Sequence, residues 1–188
     1  YSPVSSSLIW LPWGPGQPWG YDDFEIDEQR LPNFGKMIQW LGSMDTKLVL
    51  WIGPFFQGQM ATNALARGWN LAGQVRPRNG NNYPMVDFSN PEAKAYWQSG
   101  VEKLLKLGVA GFKLDRAEEN IPESGPFTIH DGRSIRENRN AYPAMYVKAT
   151  YDIAEKHRGQ DFALMPWASV MRNVAFGLPD GEIDDAAV

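Results

Sequence analysis

The 188-residue sequence contains no cysteine and only two histidines, His130 and His157. Without a thiol there is no disulfide framework, no thiolate nucleophile and no Cys-ligated zinc, and cysteine usage says nothing about redox compartment or location. Two histidines do not build a His-rich metal centre. No apolar run approaches the roughly 18 residues of a membrane span. Positive charge is not in excess: 18 Lys and Arg stand against 22 Asp and Glu, a formal net charge of −4, which disfavours DNA or RNA as a partner. The glycines of Gly14-Pro15-Gly16 and Gly108-Val109-Ala110-Gly111 are followed by neither a phosphate-loop Lys nor a dinucleotide pattern, so no cofactor is implied. There is no Ser nucleophile elbow and no internal repeat. The chain is too short for a complete (β/α)8 barrel, which takes about 250 residues. It opens at Tyr1 with no basic-then-apolar leader, as would a secreted protein after cleavage or a piece of a longer one.

What is present in quantity is aromatic. Eight Trp, seven Tyr and nine Phe are spread along the chain, many beside Gly, Pro or Asn. That suits a loop-lined pocket for a flat, polyhydroxylated ligand, or else a large core with aromatic plugs. The hydrophobic fraction of 43% and charged fraction of 21% are ordinary for a globular domain and exclude collagen, coiled coil and disorder.

Periodicity and punctuation predict an alternating order of elements. Ser7 to Leu11 reads as a buried strand stopped by Pro12, followed by a dense Gly/Pro/Trp loop. Phe34, Met37, Ile38 and Leu41 recur at helical spacing after Pro32-Asn33. Lys47 to Ile52 is an unalternating apolar run, the pattern of a parallel strand covered on both faces. Phe55 to Asn82 reads as a long excursion with a helical turn around Ala61 to Ala66. The segment Ser89-Asn90-Pro91-Glu92 carries a cap, a first-turn proline and an acid favoured by the helix dipole, and opens a helix closed by Gly108. Val109 to Asp115 reads as the next strand, Ile121 to about Asn138 as loop, Tyr142 to Ile153 as part of a long helix, and Phe162 to Met165 as a fourth strand. The acidic tail from Gly177 to Val188 is left unassigned. Strands joined through helices imply parallel pairing with right-handed crossovers, and in such folds chemistry sits at the strand ends.

The strongest chemical signal lies at one strand end. Asp115 terminates Val109 to Leu114, and Arg116, Glu118 and Glu119 follow. A strand delivers its last side chain rigidly to the sheet rim, while a second carboxylate can reach the same place from the turn beyond. Lys113 is two residues earlier, on the same side of a period-two strand, where a cation favours the charged form of a carboxylate. On spacing alone, a solvated turn of mixed charge is the alternative. Asp22, Asp23, Glu25, Asp27 and Glu28 lack the ligand pattern of a calcium loop and read as an acidic surface flanking a helix, and His130 reads as a turn residue.

The stretch Gly108-Val109-Ala110-Gly111-Phe112-Lys113-Leu114-Asp115-Arg116-Ala117-Glu118 resembles the nucleophile segment of glycoside hydrolase family 31, the retaining α-glucosidases and α-xylosidases, and its Phe-Lys-x-Asp form looks most like the α-xylosidase branch. Other blocks agree in order: Phe24-Glu25-Ile26-Asp27 with Arg30-Leu31-Pro32, Leu48 to Pro54, Tyr83-Pro84 with Asp87 to Pro91, and Arg139-Asn140-Ala141-Tyr142, which is similar to a His-Asn-x-Tyr block. The resemblance covers residues 8 to 176 and implies the central β/α units of a partial (β/α)8 TIM barrel, with residues 1–188 a fragment of a catalytic domain. It implies that Asp115 attacks the anomeric carbon, Glu118 supports it, Lys113 contacts sugar hydroxyls and Trp51 lines the sugar subsite. An acid/base Asp after a later strand falls by spacing at Asp180, with Asp184 behind it. Two departures stand out: Pro12 occupies the place of a sugar-binding Asp, and Pro166-Trp167 that of an Arg, which points to altered substrate or lost activity. The expected function is therefore retaining hydrolysis of a terminal α-linked xyloside or glucoside. A non-catalytic carbohydrate-binding or scaffold domain with Trp13, Trp19, Trp51 and Trp167 as its platform is the competing reading. Either way, an oligosaccharide or α-glycoside partner is implied, and missing barrel strands or a partner chain are expected.

Overall fold

The computed structural model describes residues 5–9, 14, 23–73, 83–117, 121 and 127–166. Four parallel strands, β1 (Ser5–Ile9), β2 (Thr46–Ile52), β4 (Gly111–Leu114) and β6 (Ala163–Pro166), pair in the order β1-β2-β4-β6. Between them run α1 (Phe34–Gly42), α2 (Gly58–Arg67), α3 (Pro91–Leu107) and α4 (Ile135–Arg158). Two further short strands, β3 (Ala72–Gly73) and β5 (Phe127–Thr128), pair antiparallel with each other. This is a partial TIM barrel of α/β type, and its sheet does not close among the described residues. Within that set β1 has only β2 beside it and β6 only β4.

Register assigns the faces. Leu50 lies opposite Phe112 and Ile52 opposite Leu114, and all four belong to the core that the helices cover with Val101, Leu104, Tyr146, Val147 and Ile153. Val49 opposite Gly111 and Trp51 opposite Lys113 must then share the other, concave face. At β6 the concave side lies open: Met165, level with Lys113, is 38% exposed, while Leu164 packs on the helix side.

Local chemistry explains both ends of α3. Asn90 Oδ1 accepts the Glu92 and Ala93 amides at 2.9 and 3.4 Å, Pro91 occupies the first turn of α3, and the helix ends at Gly108 in the left-handed region. One face of α3 is apolar, with Ala93, Trp97, Val101, Leu104 and Leu105 buried.

Several sequence expectations need correction. The first strand begins two residues earlier than its apolar run, at Ser5, because parallel pairing with Thr46 to Leu50 sets its limits. The helical turn expected at Ala61 to Ala66 is a ten-residue helix, α2, buried through Met60 and Ala64. The loop expected to reach Asn138 gives way at Ile135 to α4, opened by a reciprocal capping box between Ser134 and Glu137. The acidic segment is not all surface. Asp23 is only 7% exposed and Phe24 2%, because Phe24 adopts a left-handed φ of 57° and turns its ring into the core against Trp97. Asp22, Pro12, Trp19 and the acidic tail lie outside the described residues.

An aromatic cluster joins α3 and α4 to the strand ends. Phe88 packs within 5.3 to 5.6 Å, centroid to centroid, of Trp97, Tyr142 and Tyr146, and Trp97 meets Tyr146 edge to face. No helix among the described residues is long and apolar enough to cross a membrane.

Candidate active site

Strand β4 ends at Leu114, and the next residue, Asp115, extends the ladder by one bond: its amide donates to the Ile52 carbonyl at 3.2 Å. Arg116 then takes a left-handed φ of 67° and turns the chain away. That turn brings the Arg116 amide back onto Asp115 Oδ1 at 3.0 Å, while the indole Nε1 of Trp51, on the neighbouring strand, donates to Oδ2 at 2.9 Å. Each carboxylate oxygen therefore accepts a fixed donor, one from the backbone and one from a rigid ring. Asp115 is 9% exposed and Lys113, on the same concave face, 8%. The Lys113 ammonium lies 3.5 Å from the Leu114 carbonyl.

The loop following β4 is tied to the excursion following β2 by a second buried carboxylate. Asp87, 4% exposed, accepts the His130 amide on Oδ2 at 2.8 Å and the Ser89 amide and hydroxyl on Oδ1 at 3.0 and 2.6 Å. Ser89 Oγ in turn accepts the Asp131 amide at 3.3 Å, and the β3–β5 pairing links the same two segments a few residues away. Beyond it Arg133 pairs with Asp131, whose carboxyl is held below the ordinary aspartate range by the hydrogen bond from that guanidinium; the guanidinium is raised in turn. His130 itself is the exposed turn residue its sequence context predicts.

The structure thus brings together three of the residues nominated from sequence: Asp115, Lys113 and Trp51. Glu118, Asp180, Asp184, Trp13 and Trp167 lie outside the described residues. The reasoning from sequence missed the direct Trp51–Asp115 hydrogen bond, since it depends on the β2–β4 register. Asp87 entered that reading only within the Asp87 to Pro91 block of the resemblance, and its hold on His130, 43 residues away, is visible only in the fold.

A carboxylate with both oxygens hydrogen-bonded at the end of a parallel strand, on the same face of a partial barrel as Lys113, lies where α/β-barrel proteins as a class carry their chemistry. The family model for the TIM-barrel domain of glycosyl hydrolases family 31 matches residues 5–172, and the chain belongs to that family. It is 26% identical over 162 residues to alpha-xylosidase XylQ of Lactiplantibacillus pentosus, covering 81% of this chain and 20% of the relative. It is 28% identical over 152 residues to an alpha-xylosidase of Emericella nidulans, covering 76% and 19%. The chain therefore spans about a fifth of the length of these relatives. Among solved structures, a family 31 alpha-xylosidase from a soil metagenome complexed with xylose superposes with a TM-score of 0.73 at 23% identity, covering 86% of this chain and 24% of that one.

Proposed function

We propose that this chain carries the nucleophile side of a retaining α-glycoside hydrolase, and that residues 1–188 are part of a catalytic barrel completed by further strands. The observation that carries the reading is the Asp115 carboxylate, held on both oxygens at a strand end by Trp51 and the Arg116 amide. In the first step an Asp115 oxygen attacks the anomeric carbon, the glycosidic C–O bond breaks, and the leaving oxygen takes a proton from an acid. Asp180 is the nominee for that acid. In the second step water attacks the same carbon, the ester breaks, and the water proton returns to the acid/base group. A retaining pair needs its carboxyl groups about 5 to 5.5 Å apart. Lys113 contacts sugar hydroxyls, Glu118 supports the nucleophile, and Trp51, Trp13 and Trp167 line the sugar. A terminal α-xyloside or α-glucoside is the proposed substrate, and the two similar proteins named alpha-xylosidase support the former.

The competing reading is a sugar-binding domain without catalysis. It is favoured by Pro166, which occupies the last position of β6 opposite Leu114, where the family resemblance implies an Arg nearby. A 5-fluoro-α-xylosyl fluoride separates the two. The intact protein gains the mass of one glycosyl group, peptide mapping places it on Asp115, and Asp115→Asn abolishes it while retaining reversible sugar binding. A folded protein that takes up no adduct from xylosyl or glucosyl reagent, with sugar affinity unchanged by Asp115→Asn, refutes the hydrolase and supports the binding domain.

A further inference from the structure

Two tyrosines on α4 place polar atoms where the core would otherwise be apolar. Tyr142 and Tyr146 are one turn apart and fully buried, with rings packed on Phe88. For packing alone phenylalanine would serve, and a buried hydroxyl opposes folding unless it is bonded. Both hydroxyls are bonded, and their targets are main-chain carbonyls at the end of β2 and in the Val86 segment that pairs beside it. Tyr146 Oη donates to the Ile52 carbonyl at 3.0 Å, and Tyr142 Oη lies 2.8 Å from the Val86 carbonyl and 3.4 Å from that of Pro54. Ile52 follows Trp51, and its carbonyl is the same atom that accepts the Asp115 amide at 3.2 Å. One carbonyl oxygen thus joins the Tyr146 hydroxyl from the helix layer to the backbone of Asp115, and the adjoining residue supplies the indole that orients the Asp115 side chain.

We infer that Tyr146 is a positioning residue for the Asp115 carboxylate, acting through the Ile52 carbonyl. The inference rests on the proposed role of Asp115 and extends it into the helix layer. With the phenol bonded, the Ile52–Gly53 peptide is held from two sides, and Trp51 and Asp115 keep their relative placement. Removing the hydroxyl frees that peptide to rock and loosens both donors to the carboxylate, while the ring still fills its place in the core.

The test is Tyr146→Phe in the intact protein, with Tyr151→Phe as control, because the Tyr151 hydroxyl bonds Glu155 on the exposed side of α4. Trapping by 5-fluoro-α-xylosyl fluoride gives a maximal rate constant and a reagent dissociation constant. For Tyr146→Phe the rate constant falls about tenfold with the dissociation constant unchanged, the size expected from one neutral hydrogen bond. Tyr151→Phe behaves as wild type. An independent readout needs no activity: in nitrogen-15 NMR spectra the Asp115 amide and the Trp51 indole N–H exchange with solvent about tenfold faster in Tyr146→Phe, while the Trp69 indole, bonded to Glu92, does not change. Unchanged exchange at Asp115 and Trp51 overturns the inference. If the wild type takes up no adduct from either the xylosyl or the glucosyl reagent and Asp115→Asn leaves sugar affinity unchanged, the hydrolase reading fails by itself, and the exchange rates still decide whether Tyr146 positions the carboxylate.

Discussion

Gly100 lies in the middle of α3, a position where alanine ordinarily stabilises a helix by about 1 kcal/mol. Here the opposite outcome is expected. A β-carbon at residue 100 falls 2.2 Å from Phe24 Cδ2, 2.5 Å from Cγ and 2.9 Å from Cε2. Carbon atoms pack at about 3.5 to 4.0 Å, so the ring has to withdraw by more than about 1 Å. It has little room to do so, since Phe24 is buried, stands edge-on to Trp97 at 5.7 Å, and leaves a backbone held in the left-handed region. Overpacking of this kind costs about 1 to 3 kcal/mol, and more if the ring leaves the core. With a clash this close at the upper end of that range, and the helix gain of about 1 kcal/mol set against it, Gly100→Ala destabilises the protein by about 1 to 2 kcal/mol, read from equilibrium urea unfolding. The decisive comparison is the same substitution in a Phe24→Ala background. There the collision is absent and Gly100→Ala stabilises by about 1 kcal/mol, so its sign reverses between backgrounds. A Gly100→Ala protein as stable as wild type, or the same effect in both backgrounds, refutes the packing argument. The contact bears on the strand-end region because the turn at Phe24 also sets Asp23 against the first residue of α2, its Cβ 3.3 Å from where a Gly58 Cβ would stand.

Three further outcomes follow from named contacts. Trp51→Phe removes the indole donor to Asp115 Oδ2, a hydrogen bond to a charged group worth about 1.5 to 3 kcal/mol, and slows trapping at Asp115 roughly ten- to a hundredfold; a time course by intact mass that matches wild type counts against it. Asp87→Ala leaves the His130 amide and the Ser89 amide and hydroxyl without their acceptor, costs about 2 to 4 kcal/mol, and exposes the His130 amide to exchange, whereas continued protection of that amide argues that Asp87 does not pin the loop. Asp161 is held below its ordinary value of 3.8, first by the hydrogen bond from Lys47, with Arg158 adding to it. A depressed carboxyl contributes stability that is present above the unfolded value and is lost as pH falls through the folded one. The urea midpoint therefore drops below about pH 4, and Asp161→Asn reduces that drop slightly because the pair is largely exposed; an identical pH profile for the variant contradicts the assignment.

Where the determining physics is local, the sequence is sufficient. The unalternating run Lys47 to Ile52 specifies a strand covered on both faces, Asn90, Pro91 and Gly108 mark both ends of α3, and period-two geometry puts Lys113 and Asp115 on one side. The Ser134–Glu137 capping box is equally local, and it can be read in the sequence as Ser-x-x-Glu ahead of the helix; the loop-like composition around it hides it. Helix α2 is different, for it has no side-chain cap and only two large apolar residues, Met60 and Leu65, and it is held by burying Met60 and Ala64 in a core assembled elsewhere in the chain. The site divides along the same line. That Asp115 ends a strand is written in its neighbourhood, but its hydrogen bond to Trp51 spans 64 residues and that of Tyr146 to Ile52 spans 94. Such pairings depend on strand register and on how α4 settles over the strand ends. Periodicity and capping carry no information about either, because side chains far apart in sequence acquire a common geometry only when the layers pack.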